Sequence, residues 1–145
     1  MRLTPNERGE RGAALLEFSI AGLVFLTAIF AVLEFGRLLW VHNGLTDAAR
    51  RGARYAVTHS QSSMGDAQNM AVYGTTADGP KSPMVAGLTP DMVKFTYTDF
   101  GVGNGNVTAK IEGYEFKFVV PLIGTKIKMP DYSSTLTAES AGTEP

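Results

Sequence analysis

The sequence predicts an α+β protein in which a long amino-terminal helix, apolar over its first half and amphipathic over its second, packs on a small antiparallel sheet of about three to four strands. Three observations predict it. A charge-free apolar run, Phe18 to Leu33, follows a short arginine-bearing start. Small residues then recur at helical spacing between Gly44 and Ala56. Beyond a stretch punctuated by glycine and proline, four segments rich in β-branched and aromatic residues follow one another to the carboxy terminus.

The first element is a membrane-length helix. Phe18 to Leu33 contains sixteen residues without a charge, about 24 Å of helix at 1.5 Å per residue. Extending the segment to Ala13 and Trp40 brings Glu17, Glu34 and Arg37 near its two edges and makes it long enough for a tilted crossing whose end charges reach the headgroups. Trp40 suits the interfacial belt. A cleaved secretory signal would show a small-x-small triplet after the apolar run, whereas here the run passes directly into Leu33-Glu34-Phe35-Gly36-Arg37. A soluble buried helix would need more protein around it than 145 residues supply. Orientation is not fixed by charge, because Arg2, Arg8 and Arg11 precede the span and Arg37, Arg50, Arg51 and Arg54 follow it.

Within that run Glu17 stands out. A carboxylate at the centre of a spanning helix costs roughly 2.5 to 3.5 kcal/mol and less near an end, so Glu17 either reaches the surface or meets a partner. Glu34 and Arg37 lie three residues apart on one face and are placed to form a helix-end ion pair.

The stem follows. Gly44, Ala48, Gly52 and Ala56 form one ridge with Ala49 and Ala53 beside it, while Asp47, Arg50 and Arg54 fall roughly opposite. A face of small residues admits close approach by another backbone, either the chain's own sheet or a neighbouring helix. The pattern breaks at Thr58 to Ser63, where the helix should end, and Asp66 to Tyr73 reads as one short helix. Gly74 to Pro90 reads as an irregular excursion. The predicted strands are Val93 to Thr98, Asn106 to Ile111, Tyr114 to Val120 and Tyr132 to Thr137, with Gly113 marking a bulge and Pro121 ending the third or placing it at an edge.

Several functions are excluded or left without support. Thirteen basic and fourteen acidic residues give a net charge of -1, with no electrostatic footprint for nucleic acid. The absence of cysteine removes disulfides, thiolate metal sites and a cysteine nucleophile. His42 and His59 are seventeen residues apart without a ligand-like pattern, so no metal is implied. Gly101 to Asn106 alternates glycines but joins two strand-like segments and lacks a P-loop ending, so it reads as a hairpin loop. No catalytic constellation, cofactor or small-molecule substrate is implied, and an enzyme reading would require a titratable pocket in the Pro83 to Lys94 region.

Gly12-Ala-Ala-Leu-Leu-Glu17-Phe18 with an apolar helix beginning at once resembles the processing site of type IV pilin-like precursors. With Leu33 to Arg37, and then Gly44-Leu-Thr-Asp-Ala-Ala-Arg-Arg-Gly-Ala-Arg-Tyr-Ala56, residues 9 to 57 resemble the TadE-like proteins, pseudopilins of the tight-adherence (Flp) pilus system. The resemblance implies cleavage between Gly12 and Ala13 by a prepilin peptidase, with Glu17 at the fifth position of the mature chain as an assembly charge that meets a neighbour's amino terminus. It implies a leader over 1–12, a transmembrane segment over 13–41, a periplasmic continuation of the helix over 42–60 and a small periplasmic domain over 61–145. The implied partners are the membrane, the peptidase, sister pseudopilins with the major Flp-type pilin, and the inner-membrane assembly platform. Many relatives carry a proline about where Leu23 stands, and without it no proline kink is expected. Ala13 replaces the phenylalanine common in major type IV pilins, and TadE and its sister minor pilins are not separated by these blocks. The alternative is a permanently anchored periplasmic interaction module that never enters a filament.

Overall fold

The computed structural model describes residues 5–77, 81–98, 105–120 and 126–137, with side chains from residue 12 onward. Helix α1 runs from Pro5 to Thr58 as one element of 54 residues. Proline at its first position loses no intrahelical hydrogen bond. With no proline inside it, the helix continues through Leu23 unbroken. By contacts the chain divides into two compact units, Met1–Arg37 and Leu38–Pro145.

The described residues of the first unit are all helical. From Gly12 to Leu33 its side chains lie open, Phe18 at 77% and Val32 at 71% exposure. Its polar residues satisfy themselves within the helix: Ser19 donates to the Leu15 carbonyl and Thr27 to that of Leu23, each at 2.8 Å. Neither hydroxyl therefore needs water, which fits both to an apolar surrounding.

The second unit is an α+β domain built on the last part of α1. After a 3₁₀ turn at Gln61–Ser63, helix α2 runs from Met64 to Tyr73, two residues earlier than the predicted start. Gly74 ends it in the left-handed conformation (φ 72°), its N–H bonding the Met70 carbonyl at 3.0 Å. An irregular segment follows, then a 3₁₀ turn at Pro90–Met92. Strands β1 (Val93–Thr98), β2 (Asn106–Ile111) and β5 (Tyr132–Thr137) form an antiparallel sheet in the order β1-β2-β5. Strands β3 (Glu115–Lys117) and β4 (Lys126–Lys128) form a separate two-stranded ribbon.

The register explains the alternation. Val93, Ile111 and Tyr132 lie side by side, as do Phe95, Ala109 and Ser134, then Tyr97, Val107 and Leu136. This face holds the buried residues, while Lys94, Thr96, Thr98 and their neighbours face outward. The core joins Val41, Leu45, Ala48 and Ala49 of the stem to α2, the loop residues Val85 and Leu88, the sheet, and Phe116 and Met129 of the ribbon region. A smaller cluster forms around Ala56, Ala67 and Val107. At the other end of the stem, His42 Nδ1 and the Tyr132 hydroxyl share a hydrogen bond of 2.9 Å.

Three sequence expectations change. The third strand is Glu115–Lys117 rather than Tyr114 to Val120, the three residues that pair with Lys126–Lys128 of β4. Gly113 is not a bulge within a long strand. It takes φ 75° in the link from β2 to β3, a conformation that glycine adopts without strain. Third, β4 was not foreseen. Gly79-Pro80, the centre of the glycine loop before Gly105, and Pro121 lie outside the described residues. The strands flanking that loop do pair as a hairpin requires, with Thr98 opposite Asn106.

Candidate functional site

Gly12 and Ala13 are exposed and helical. A side chain added at Gly12 would meet nothing within 4 Å. The chain's own packing thus gives no reason for glycine there, and alanine would favour the helix by about 1 kcal/mol. Glu17, one turn on, is also exposed, and no ion pair involves it among the described residues. It is the only ionisable side chain between Gly12 and Leu33. Near the end of the same unit Arg37 Nη1 donates to Glu34 Oε2 at 2.6 Å, and Glu34 is buried. A charge-assisted bond of this length offsets part of the cost of removing the carboxylate from water.

The small-residue ridge of the stem lies against the domain to which it belongs. Ala48 and Ala56 are buried, and Gly52 is buried with them. A Cβ at Gly44 would stand 2.7 Å from Val85 Cγ2, and one at Gly52 would stand 3.0 Å from Ala71 Cβ and 3.1 Å from Phe95 Cζ. Both glycines are therefore required by close approach, Gly44 the more strictly. Arg50 and Arg54 face outward as exposed residues.

Arg51 carries a role its sequence position did not disclose. It pairs through Nη1 with Asp47 one turn back, and its Nη2 donates to the Ala71 carbonyl at 3.0 Å. Ala71 lies in the last turn of α2, where carbonyls lack helical partners and a cation complements the helix dipole. Arg51→Ala should lower domain stability by about 1 to 2 kcal/mol, read as a fall in the denaturant midpoint with an unchanged slope. The one sequence hint was Asp47 at four residues' distance. The 20-residue reach to α2 left none.

A charged cleft of about 460 Å³ opens at the Val93–Ile111–Tyr132 end of the sheet, lined by Asp91, Met92, Lys94, Glu112, Gly113, Lys128 and Asp131. It overlaps the region in which an enzyme would need its pocket. Two of its carboxylates are engaged by an adjacent lysine: Lys110 Nζ lies 2.7 Å from Glu112 and 3.1 Å from Asp131. The hydrogen bonds to Glu112, then Asp131, push the Lys110 ammonium above the usual lysine range. That stabilises the charged form rather than preparing a base. Among the described residues no group of three His, Asp or Glu side chains is placed to hold a metal.

On the ribbon, Glu115 faces Lys128 and Lys117 faces Lys126 across the two strands. Lys126 Nζ lies 2.7 Å from Glu115 Oε2. That bond holds the Glu115 carboxyl below the usual range, with Lys117 and Lys128 adding to the effect.

These features define a class: a protein with a bare apolar helix fit to anchor it in a membrane and a small α+β domain folded on the helix's continuation. Residues 12–54 match the family model for TadE-like protein, so the anchor and stem are similar to those of that family. That family is structural rather than enzymatic. No curated protein and no solved structure matches the chain.

Proposed function

We propose that the chain is a minor pilin or pseudopilin, processed between Gly12 and Ala13 by a prepilin peptidase and assembled into a tight-adherence pilus system through its amino-terminal helix. The observation that carries this reading is the helix from Gly12 to Leu33, apolar on every side, wholly uncovered, and broken by the single carboxylate of Glu17. Such a surface is stable in lipid or among other apolar helices. Exchange of lipid contact for helix contact then costs little, and Glu17 sets the register by meeting the new amino terminus of a neighbour.

In this reading residues 13–41 span the inner membrane and the domain is periplasmic. The helix is handled by the assembly platform, and its companions are sister pseudopilins and the major Flp-type pilin.

The mass of the protein purified from its native membrane tests the proposal. Loss of residues 1–12 is the expected result, and an intact chain would instead indicate a permanently anchored interaction module. Gly12→Val should leave the leader attached while the fold is unaffected, since the position is open. Removal of the leader from that variant at the wild-type rate would exclude Gly12 as the recognised residue.

A further inference from the structure

We propose that the free edge of β5 pairs with β5 of a second copy of this chain, joining two domains through one continuous antiparallel sheet. The proposal concerns the folded domain alone and requires neither cleavage at Gly12 nor entry into a filament.

The order β1-β2-β5 leaves two outer edges, and they differ. At β1 the Gln68 side chain of α2 donates from Nε2 to the Val93 carbonyl at 3.0 Å, so that edge is capped where the strand begins. The same bond fixes the hydrogen-bonding phase of the whole sheet. A carbonyl that meets α2 points away from β2, so Val93 and Ile111 form a pair without mutual backbone bonds, and the two kinds of pair alternate from there. Ile111 then turns its N–H and carbonyl towards β5, and the β5 residues bonded to β2 are Tyr132, Ser134 and Leu136. The backbone groups of Ser133, Thr135 and Thr137 therefore point outward. The 2.8 Å bond between the Thr108 and Thr135 hydroxyls agrees, since side chains stand closest in pairs that lack backbone bonds. Among the described residues nothing bonds to this outer row.

Edge strands are ordinarily guarded by charge, proline or a bulge. β5 has none of these: Tyr-Ser-Ser-Thr-Leu-Thr carries no charge and no proline, and its register with β2 runs unbroken. On the core side Leu136 is only half-buried although its neighbour Val107 is buried, and an added strand would cover it. The outward row is its own complement. With a twofold axis at Thr135, that residue faces its counterpart and Ser133 faces Thr137, and each such pair can exchange two backbone bonds. No other antiparallel register of two β5 strands uses all of the outward residues. The exposed face then continues the row Thr96, Thr108, Thr135 with the same three residues of the second copy in reverse order. Cross-strand threonine pairs are favourable, and the row that holds Lys94 and Lys110 meets Thr137, Asn106 and Thr98 of the second copy, so no like charges are opposed. A single strand pair buries far less than the roughly 1,200 Å² of a lasting complex, so the contact is reversible and forms at high local concentration.

The cysteine-free chain allows a test of register. The full chain in detergent carries one cysteine, introduced as Thr135→Cys, Ser133→Cys or Thr137→Cys at exposed positions. Facing Cα atoms of a hydrogen-bonded pair lie about 5.5 Å apart, within disulfide reach, so Thr135→Cys should cross-link to itself on mild oxidation. Ser133→Cys alone and Thr137→Cys alone should cross-link about tenfold more slowly or less, because each counterpart lies four residues, about 13 Å, away. Mixed together, those two should cross-link to each other as fast as Thr135→Cys does to itself. In the native chain, concentrating the protein should slow amide exchange at Ser133, Thr135 and Thr137 about tenfold and leave Ser134 and Leu136 unchanged. The exchange arm uses no substitution, so the result does not depend on how a cysteine variant folds. Equal cross-linking by the three single-cysteine chains, with no gain on mixing, would mean collision or contact through the amino-terminal helix and would overturn the proposal. Exchange at the three outward amides that ignores concentration would overturn it too. Neither reading depends on the mass of the mature chain, so this proposal and the processing of Gly12 fail separately.

Discussion

Gly44→Val should destabilise the domain by about 3 kcal/mol, the upper end of what overpacking a filled core costs. The added Cβ would fall 2.7 Å from Val85 Cγ2. Val85 is 2% exposed, and its carbonyl accepts the Leu88 N–H at 3.1 Å, so neither its side chain nor its loop is free to retreat. Branching at Cβ brings two further methyl groups into the same gap. For a domain of this size the loss corresponds to a fall in melting temperature of more than about 10 °C, followed by near-ultraviolet circular dichroism of the full chain in detergent. Gly65→Ala is the matched control: a Cβ there meets nothing within 4 Å, and the midpoint should hold or rise slightly. A Gly44→Val protein that melts with the wild type would mean that the stem does not lie against Val85.

Glu17→Gln should leave membrane insertion unchanged and reduce entry into an assembly about tenfold or more. Insertion is governed by the apolar run on the carboxy-terminal side of Glu17, which the substitution does not touch, and glutamine is no harder to place near a helix end than glutamate. Assembly is different. In the proposed pairing, a neighbour's amino terminus that loses its carboxylate partner would be left charged in an apolar setting, and leaving one member of a desolvated pair alone costs on the order of 2 to 5 kcal/mol. The measurement is the amount of subunit in sheared pili relative to the amount in membranes. Glu17→Asp gives a graded check, since it keeps the charge on a side chain one methylene shorter. Wild-type incorporation of the glutamine variant would remove Glu17 from any role in pairing.

The anchor, stem and main sheet were legible because each is written in local pattern. Sixteen uncharged residues, a four-residue recurrence of Gly and Ala, and the alternation through Phe95 and Tyr97 each follow from the geometry of a single element. The limits of β1, β2 and β5 agree with the segments read from sequence for the same reason. The ribbon was not legible. Lys126-Ile-Lys128 is too short and too charged to announce a strand, and it becomes one only by pairing with Glu115–Lys117. The third strand is likewise defined by the three residues that pair with β4.

Side-chain contacts between distant elements were equally hidden. His42 looked unremarkable in the stem, yet it bonds Tyr132 ninety residues away. Arg51 looked like one more basic residue in a run, yet it closes the end of α2. Of the candidate site, the residue types and their spacing on the helix could be read in advance. Which of the two expected occupants covers the Gly-Ala ridge could not, because either backbone fits a face of small side chains.

That ridge has a mechanical consequence. With Gly44, Ala48, Gly52 and Ala56 already covered by the chain's own loop, α2 and sheet, no second rod can nestle there. In the proposed assembly, close helix contact between subunits would then fall to the stretch preceding Leu38.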